Sequence, residues 1–285
     1  MRAGLVLLCV ALVGCGRLPS PAGLIGGGGE MVRIPMTSED GDEVRLVARV
    51  CRPDGDAPAP VAVIAHGNPP AGDSRADMSP ATCSSPPSAL FRARGYVVVL
   101  PLRRGYGDSE GDFAENPGAC ASPDDVRAGL AAARDLDAVL SFAVHLPFAK
   151  AEGAVLVGED SGGWGVIAYA SQKHEVAASL IQLGGVLGAR SAGRLGHVCR
   201  PDLLIEAAAR FGSTARTRML WIYAANDKVV PSDVVAALHD AFVHAGGQAE
   251  LVQPRAPGAD GHELLFDGQG PAIWGGLLDF FLASK

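Results

Sequence analysis

No two of the six cysteines are spaced as CxxC, no segment of the chain repeats, and no long polar tract divides it. The missing CxxC pair removes the usual frame of a zinc site, so no metal is expected, and nothing in the chain calls for a cofactor. Without repeats or a polar divider, one catalytic domain is the simplest organisation for 285 residues that are 48% apolar and 19% charged. A basic excess is lacking too. The net charge of -7 and pI near 5.5 argue against a nucleic-acid partner, which would need a cationic face for phosphates; only a local patch such as Arg103 and Arg104 is basic. The chain also opens without a membrane-spanning run, because the apolar stretch Leu5 to Val13 falls well short of the ~20 residues a spanning helix needs.

That short stretch has another reading. A basic start, the apolar run and a small residue before Cys15 make residues 1–14 an export signal, outside any fold reasoning. Leu12, Val13, Gly14 and Cys15 further resemble the bacterial lipoprotein signal, in which the cysteine thiol is lipidated and becomes the new N-terminus. The expectation is a protein of the bacterial cell envelope, held to a membrane by lipid on Cys15. Residues 15–30, rich in Gly and Pro, would be the tether and residues 31–285 the domain. Once Cys9 and Cys15 are set aside, Cys51, Cys83, Cys120 and Cys199 remain, an even number suited to an oxidising compartment. Three pairings can be drawn. Cys51 with Cys83 and Cys120 with Cys199 is the one favoured, although spacing alone does not decide it.

Along the domain, β-branched runs alternate with alanine-rich helical stretches, the order of a mostly parallel sheet with crossover helices on both faces. Strands are expected at 44–50, 61–65, 96–100, 154–157, 178–183, 219–224 and 249–252, and helices at 124–140, 162–170, 201–211, 232–244 and 272–282. In such sheets the reactive groups gather where strands end. Three ends carry chemistry: His66-Gly67-Asn68-Pro69, the string GEDSGGWG at 158–165, and Asp227-Lys228-Val229-Val230-Pro231.

GEDSGGWG follows the apolar run Ala154 to Val157 directly. A strand ending in Gly-x-nucleophile-x-Gly and turning at once into a helix is the nucleophile elbow of the α/β-hydrolases. Gly158 and Gly162 occupy the two glycine places only if Asp160 is central; centring on Ser161 puts Glu159 where the first glycine is needed. The frame therefore favours an aspartate where a serine is usual, with Ser161 as the alternative nucleophile from a shifted turn.

HGNP at 66–69, RRGYGDSEG at 103–111, the elbow, DKVVP at 227–231 and the DGHELLF string that holds His262 together resemble the dienelactone-hydrolase-like branch of the α/β-hydrolases, over roughly residues 44 to 283. That branch reads GQSAGGWG at the elbow, which lays Asp160 on its serine. The resemblance implies an α/β-hydrolase fold with a minimal cap, Asp227 as the triad acid and His262 as its base, in the chain order of the fold. It implies an oxyanion hole from the backbone N–H groups of Asn68 and Ser161. No other histidine sits at a comparable place for the base, and His66 is read as shaping its loop.

A small-molecule substrate follows, in three readings. The first is hydrolysis of a carboxylic ester or lactone. The second, drawn from Asp160 and the HGNP loop, is hydrolysis of a carbon-halogen or epoxide bond through a covalent aspartyl ester, as in haloalkane dehalogenases and epoxide hydrolases. Against it, Ser161 stands where dehalogenases carry tryptophan, and residues 184–217, the only candidate cap, contain neither Tyr nor Trp. The third is a non-catalytic envelope protein that keeps the fold for binding. Arg103 and Arg104 are read as structural partners of Asp108, Glu110 or Asp112 rather than as substrate ligands, and Trp221, Trp274 and Phe280 as core.

Overall fold

A computed structural model describes residues 29–70, 73–188 and 195–284. The expected signal segment, Cys15 and most of the expected tether lie outside the described residues. The first strand, β1 (Glu30–Thr37), begins one residue inside that tether, so Glu30 belongs to the sheet.

The chain continues through β2 (Glu43–Cys51), β3 (Ala59–Ala65), α1 (Pro86–Ala93), β4 (Val97–Pro101), α2 (Asp125–Ala143), β5 (Ala149–Glu159) and α3 (Ser161–Tyr169). It then forms β6 (Ala178–Leu183), α4 (Pro201–Thr214), β7 (Met219–Ile222), α5 (Ser232–His244), β8 (Ala249–Val252) and α6 (Gly270–Ala283). The eight strands make one sheet in the order β1-β2-β4-β3-β5-β6-β7-β8. β1 and β2 are antiparallel to their neighbours, and every pairing from β4 to β8 is parallel. This is the α/β-hydrolase arrangement, with the order reversal beside β3 and β5 placing their carboxyl ends at one crevice.

Both faces of the parallel strands are covered. That is why β3 reads Ala-Pro-Val-Ala-Val-Ile-Ala with scarcely a polar side chain. One face packs Val61, Val63, Leu156 and Leu180 under Leu136 of α2, Trp164 of α3 and Phe211 of α4. The other packs Ile64, Val98 and Val157 under Phe91 of α1 and Trp274 and Leu278 of α6. Each fully buried Val, Leu, Ile or Phe contributes about 1.5–3 kcal/mol, enough to hold the strand ends in fixed register.

The departures from the sequence reading have local causes. β1 was missed because only Ile34 and Met36 of its residues are buried and Pro35 interrupts it, which an edge strand tolerates because an outward N–H needs no ladder partner. α1 was missed because it opens on Pro86 and Pro87, residues that suit a first turn but read as loop. Phe280 is not core: it is 68% exposed on α6, whereas Trp221 and Trp274 are buried as expected. α4 packs against α5 and the core rather than covering the crevice.

Candidate active site

At the end of β5 the chain reverses through Asp160, whose φ of 50° and ψ of -120° are rare for a residue with a Cβ. Such a conformation costs on the order of 1–3 kcal/mol and persists because the surroundings hold it. Here the Asp160 N–H donates to Leu183 O at 3.0 Å, and its carbonyl accepts from Trp164 N at 2.9 Å and Val186 N at 3.2 Å. A Cβ on Gly158 would collide with the carbonyl of Gly162, and one on Gly162 with the carbonyl of His66. The glycine frame is thus built around Asp160.

The structure brings Asp160, His262 and Asp227 together. His262, in the loop between β8 and α6, donates from Nδ1 to Asp227 Oδ2 at 3.0 Å. Asp227 is anchored in turn, its Oδ1 accepting from Val229 N at 2.8 Å and Val230 N at 2.9 Å, which explains the Val-Val that follows it. On the other side, His262 Nε2 lies 3.3 Å from Asp160 Oδ1. That is an ion-pair separation without the alignment of a hydrogen bond. His262 is 2% exposed. Burial disfavours its charged form, but the Asp160 carboxylate beside it and the hydrogen-bonded Asp227 carboxylate outweigh burial and push its pKa up to about 10.

Asn68, expected in the oxyanion hole, is engaged by the nucleophile position itself. Its backbone N–H donates to Asp160 Oδ2 at 2.9 Å, and its Nδ2 lies 3.2 Å from the same oxygen. Ser161 opens α3, so its N–H is among the first-turn donors that have no partner within the helix. The Ser161 hydroxyl is far less available. It is 1% exposed and accepts from Arg103 Nη2 at 3.0 Å, pointing under the elbow rather than to His262.

His66 holds its loop. Its Nδ1 donates to Gly67 O at 2.7 Å, and its Nε2 accepts from Arg103 N at 3.2 Å. This tautomer is neutral, in keeping with a pKa held well below the ordinary histidine value by burial and by the Arg103 charge. Arg103 and Arg104 are structural, but not through the expected acids. Arg103 pairs with Glu115 by Nε and Nη2, and Arg104 pairs with Asp135 of α2 at 2.6 Å and with Glu39. Asp108 and Asp112 are exposed while both guanidinium groups are buried, and Glu110 faces Arg33 and Arg45 instead.

Asp160 and His262 open onto a cavity of about 500 Å³, walled by residues from 66–70 and 73–81, the end of β4 and the His262 loop. Among the described residues, none from 184–188 or 195–217 contributes to that wall. Glu159, which entered the sequence reading only as a residue out of frame, lines the cavity. Its Oε1 accepts from Leu265 N at 2.7 Å, tying the elbow to the His262 loop, and burial raises its pKa to about 8. Among the described residues, no group of three or more His, Cys, Asp or Glu side chains is arranged to hold a metal ion.

Residues 40–189, just over half of the chain, match the X-Pro dipeptidyl-peptidase (S15 family). The chain belongs to that family. No curated protein matches it in sequence. Among solved structures, this S15-family chain is similar to DcsB in complex with its substrate analogue, with a TM-score of 0.61 and 13% identity over 89% of this chain and 99% of that one. It is similar to an acylaminoacyl peptidase in complex with Z-Gly-Gly-Phe-chloromethyl ketone (TM-score 0.61, 19% identity), covering 90% of this chain but 42% of the peptidase. It is also similar to the Pyrococcus furiosus esterase Pf2001 (TM-score 0.59, 17% identity), over 90% of this chain and 92% of the esterase. At these identities the likeness establishes the fold. Family and fold together make this S15-family protein a hydrolase of the α/β-hydrolase type.

Two disulfides brace the frame around the site. Cys51 at the end of β2 joins Cys83 ahead of α1, with Cα atoms 5.5 Å apart. Cys120 ahead of α2 joins Cys199 ahead of α4, with Cα atoms 5.0 Å apart. No described helix is long and apolar enough to cross a membrane.

Proposed function

We propose that this hydrolase works through a covalent intermediate on Asp160, with Asp227 orienting His262 as the base. The observation that carries this reading is the hydrogen bond from Asn68 N–H to Asp160 Oδ2. A serine elbow leaves that N–H open for the substrate's oxyanion. Here it holds one carboxylate oxygen, while Oδ1 faces His262 Nε2. Such an aspartate suits displacement at a saturated carbon. Oδ1 forms a bond to carbon and the leaving group departs with its electron pair. Water activated by His262 then adds to Cγ, and the oxyanion forms on Oδ2, already inside the hole. Collapse breaks the Cγ–Oδ1 bond, so the first product alcohol carries Oδ1 away.

The charges favour the same order of events. A carboxylate nucleophile needs no base, so a protonated His262 does not impede attack. Esterification removes the Asp160 charge that helps hold the proton, and His262 becomes a base when water must be activated. The preferred substrate class is a carbon-halogen or epoxide bond. Ester or lactone hydrolysis, as in the dienelactone-hydrolase-like branch, is the second reading, favoured by membership of a peptidase family and the fold shared with an esterase. It requires Asn68 to leave Asp160 for the substrate oxygen.

A single turnover in heavy-oxygen water, read on the Asp160 peptide and on the product, tests the proposal. Label in Asp160 with an unlabelled alcohol supports attack at saturated carbon. Label only in the product overturns the aspartyl route.

The same proposal places the domain outside the cytoplasm. Residues 1–14 would be the lipoprotein signal, Cys15 the lipidated residue and 15–29 a tether ending at the sheet; the two disulfides support export. Cys15→Ser should release the protein from membranes in cell fractionation, and unchanged membrane retention counts against the anchor.

A further inference from the structure

Under the elbow lies a buried polar cluster to which the proposed chemistry assigns no task. Tyr106 and Arg103 are 0% exposed and Glu115 is 2% exposed. Glu115 receives Nε and Nη2 of Arg103, one on each carboxylate oxygen. The Tyr106 hydroxyl lies 3.3 Å from Glu115 Oε2 and nearer, at 3.0 Å, to Asn68 Oδ1, to which it donates. The ring of Tyr106 is fixed by edge contacts to His66 at 4.5 Å and Phe113 at 5.5 Å between centroids. The other end of the Asn68 amide, Nδ2, reaches Asp160 Oδ2 at 3.2 Å. Only this orientation serves both neighbours. Reversed, Oδ1 would face carboxylate Oδ2, acceptor against acceptor.

We propose that Tyr106 is a positioning residue: it locks the Asn68 amide so that two donors of one residue hold Oδ2 of Asp160, leaving Oδ1 as the attacking oxygen. This inference rests on the reading of Asp160 as the nucleophile, and it assigns Asn68 to the aspartate rather than to a departing halide. Its effect falls on the second half of the reaction. When water adds to Cγ of the aspartyl ester, the carbonyl electron pair moves onto Oδ2, and the backbone N–H and Nδ2 of Asn68 stabilise it together. On collapse, Oδ1 leaves as the alkoxide and takes the proton that His262 received from water, while the new Asp160 carboxyl gives up its own to solvent. A buried phenol that does not face the substrate thereby governs ester hydrolysis, with little influence on binding or attack.

The test uses the full-length, disulfide-intact protein with 4-nitrophenethyl bromide and 4-nitrostyrene oxide as probes, acid quenching, and mass analysis of the Asp160 peptide. Tyr106→Phe should lower kcat by roughly 10–100-fold, below the ~10²–10³ of a full oxyanion donor, and lower KM in parallel, so that kcat/KM stays nearly unchanged. The probe adduct on Asp160 should accumulate, as it should in His262→Gln. Asn68→Ala keeps Tyr106 and Glu115 in place, should give the same accumulation, and carries the test if Tyr106→Phe does not fold. Adding Tyr106→Phe to Asn68→Ala should do nothing further, because the tyrosine acts through that amide. Adduct formation in His262→Gln with wild-type hydrolysis in both single variants overturns the positioning role alone. No adduct in His262→Gln with either probe overturns the aspartyl reading, and this inference with it.

Discussion

Asp160, His262 and Asp227 form a line of charge in which one imidazole lies between two carboxylates, with Oδ atoms 3.3 Å and 3.0 Å from its nitrogens. Removing one of the carboxylates should therefore be visible on the ring itself. In Asp160→Asn, the His262 pKa should fall from about 10 by roughly one to three units, the usual influence of a nearby opposite charge. Imidazole NMR titration measures it, and an unchanged titration counts against the close pair. In the sequence the glycine places favour Asp160, and the family resemblance implies Asp227 and His262. Their hydrogen-bond partners were not legible there. Asn68 meets Asp160 across 92 residues and Arg103 meets Ser161 across 58, and no local pattern encodes which oxygen a distant donor reaches.

The β5-elbow-α3 element is held by backbone contact, so added volume is harmful there. Gly162→Ala should destabilise the fold by roughly 2–4 kcal/mol in denaturant unfolding, because its Cβ meets the His66 carbonyl rather than a movable side chain. A neutral effect would mean that the elbow relaxes. The disulfides act on loops rather than on the elbow. Opening Cys120–Cys199, which spans 79 residues, should cost about 2–5 kcal/mol in the same measurement, and a cost near zero would show that the loops ahead of α2 and α4 are held by packing alone. Elements with a strong period were legible: the expected bounds of β6, α5 and β8 coincide with the structure. Elements marked by Pro or lying on an edge, β1 and α1, were not, because their residues carry little of the buried pattern from which periodicity is read.

Several buried groups of the molecule hold their protons more tightly than they do in water. Burial, the leading cause, raises Glu159 to about 8 and, against the pull of Arg104, Asp135 to about 6; burial and Asp124 raise Asp125 to about 6. His262 is raised to about 10 despite burial. In each case the folded state binds a proton more tightly than the unfolded chain, so the stabilisation is complete below the unfolded pKa and lost as pH rises through the folded one. The carboxyls act between about pH 4 and 8, and His262 between about 6.5 and 10. Below about pH 6.5 the buried His66, held under its ordinary value, acts in the opposite sense, so the unfolding temperature should fall most clearly from pH 7 to pH 9 in thermal melts. A rise over that interval contradicts the raised pKa values of Glu159 and His262.

By itself the sequence determined the fold class and the order of most elements. These follow from short-range causes: side-chain period, turn sterics, and glycines demanded where backbones approach. Only the tertiary structure decided that Asn68 holds Asp160, that Glu115, Asp135 and Glu39 rather than the nearby acids take the two arginines, that Phe280 faces outward, and that Glu159 lines the cavity. Each of these is a pairing or an exposure in space. It depends on which distant strand end or loop arrives alongside, and that is settled when the sheet closes, not along the chain.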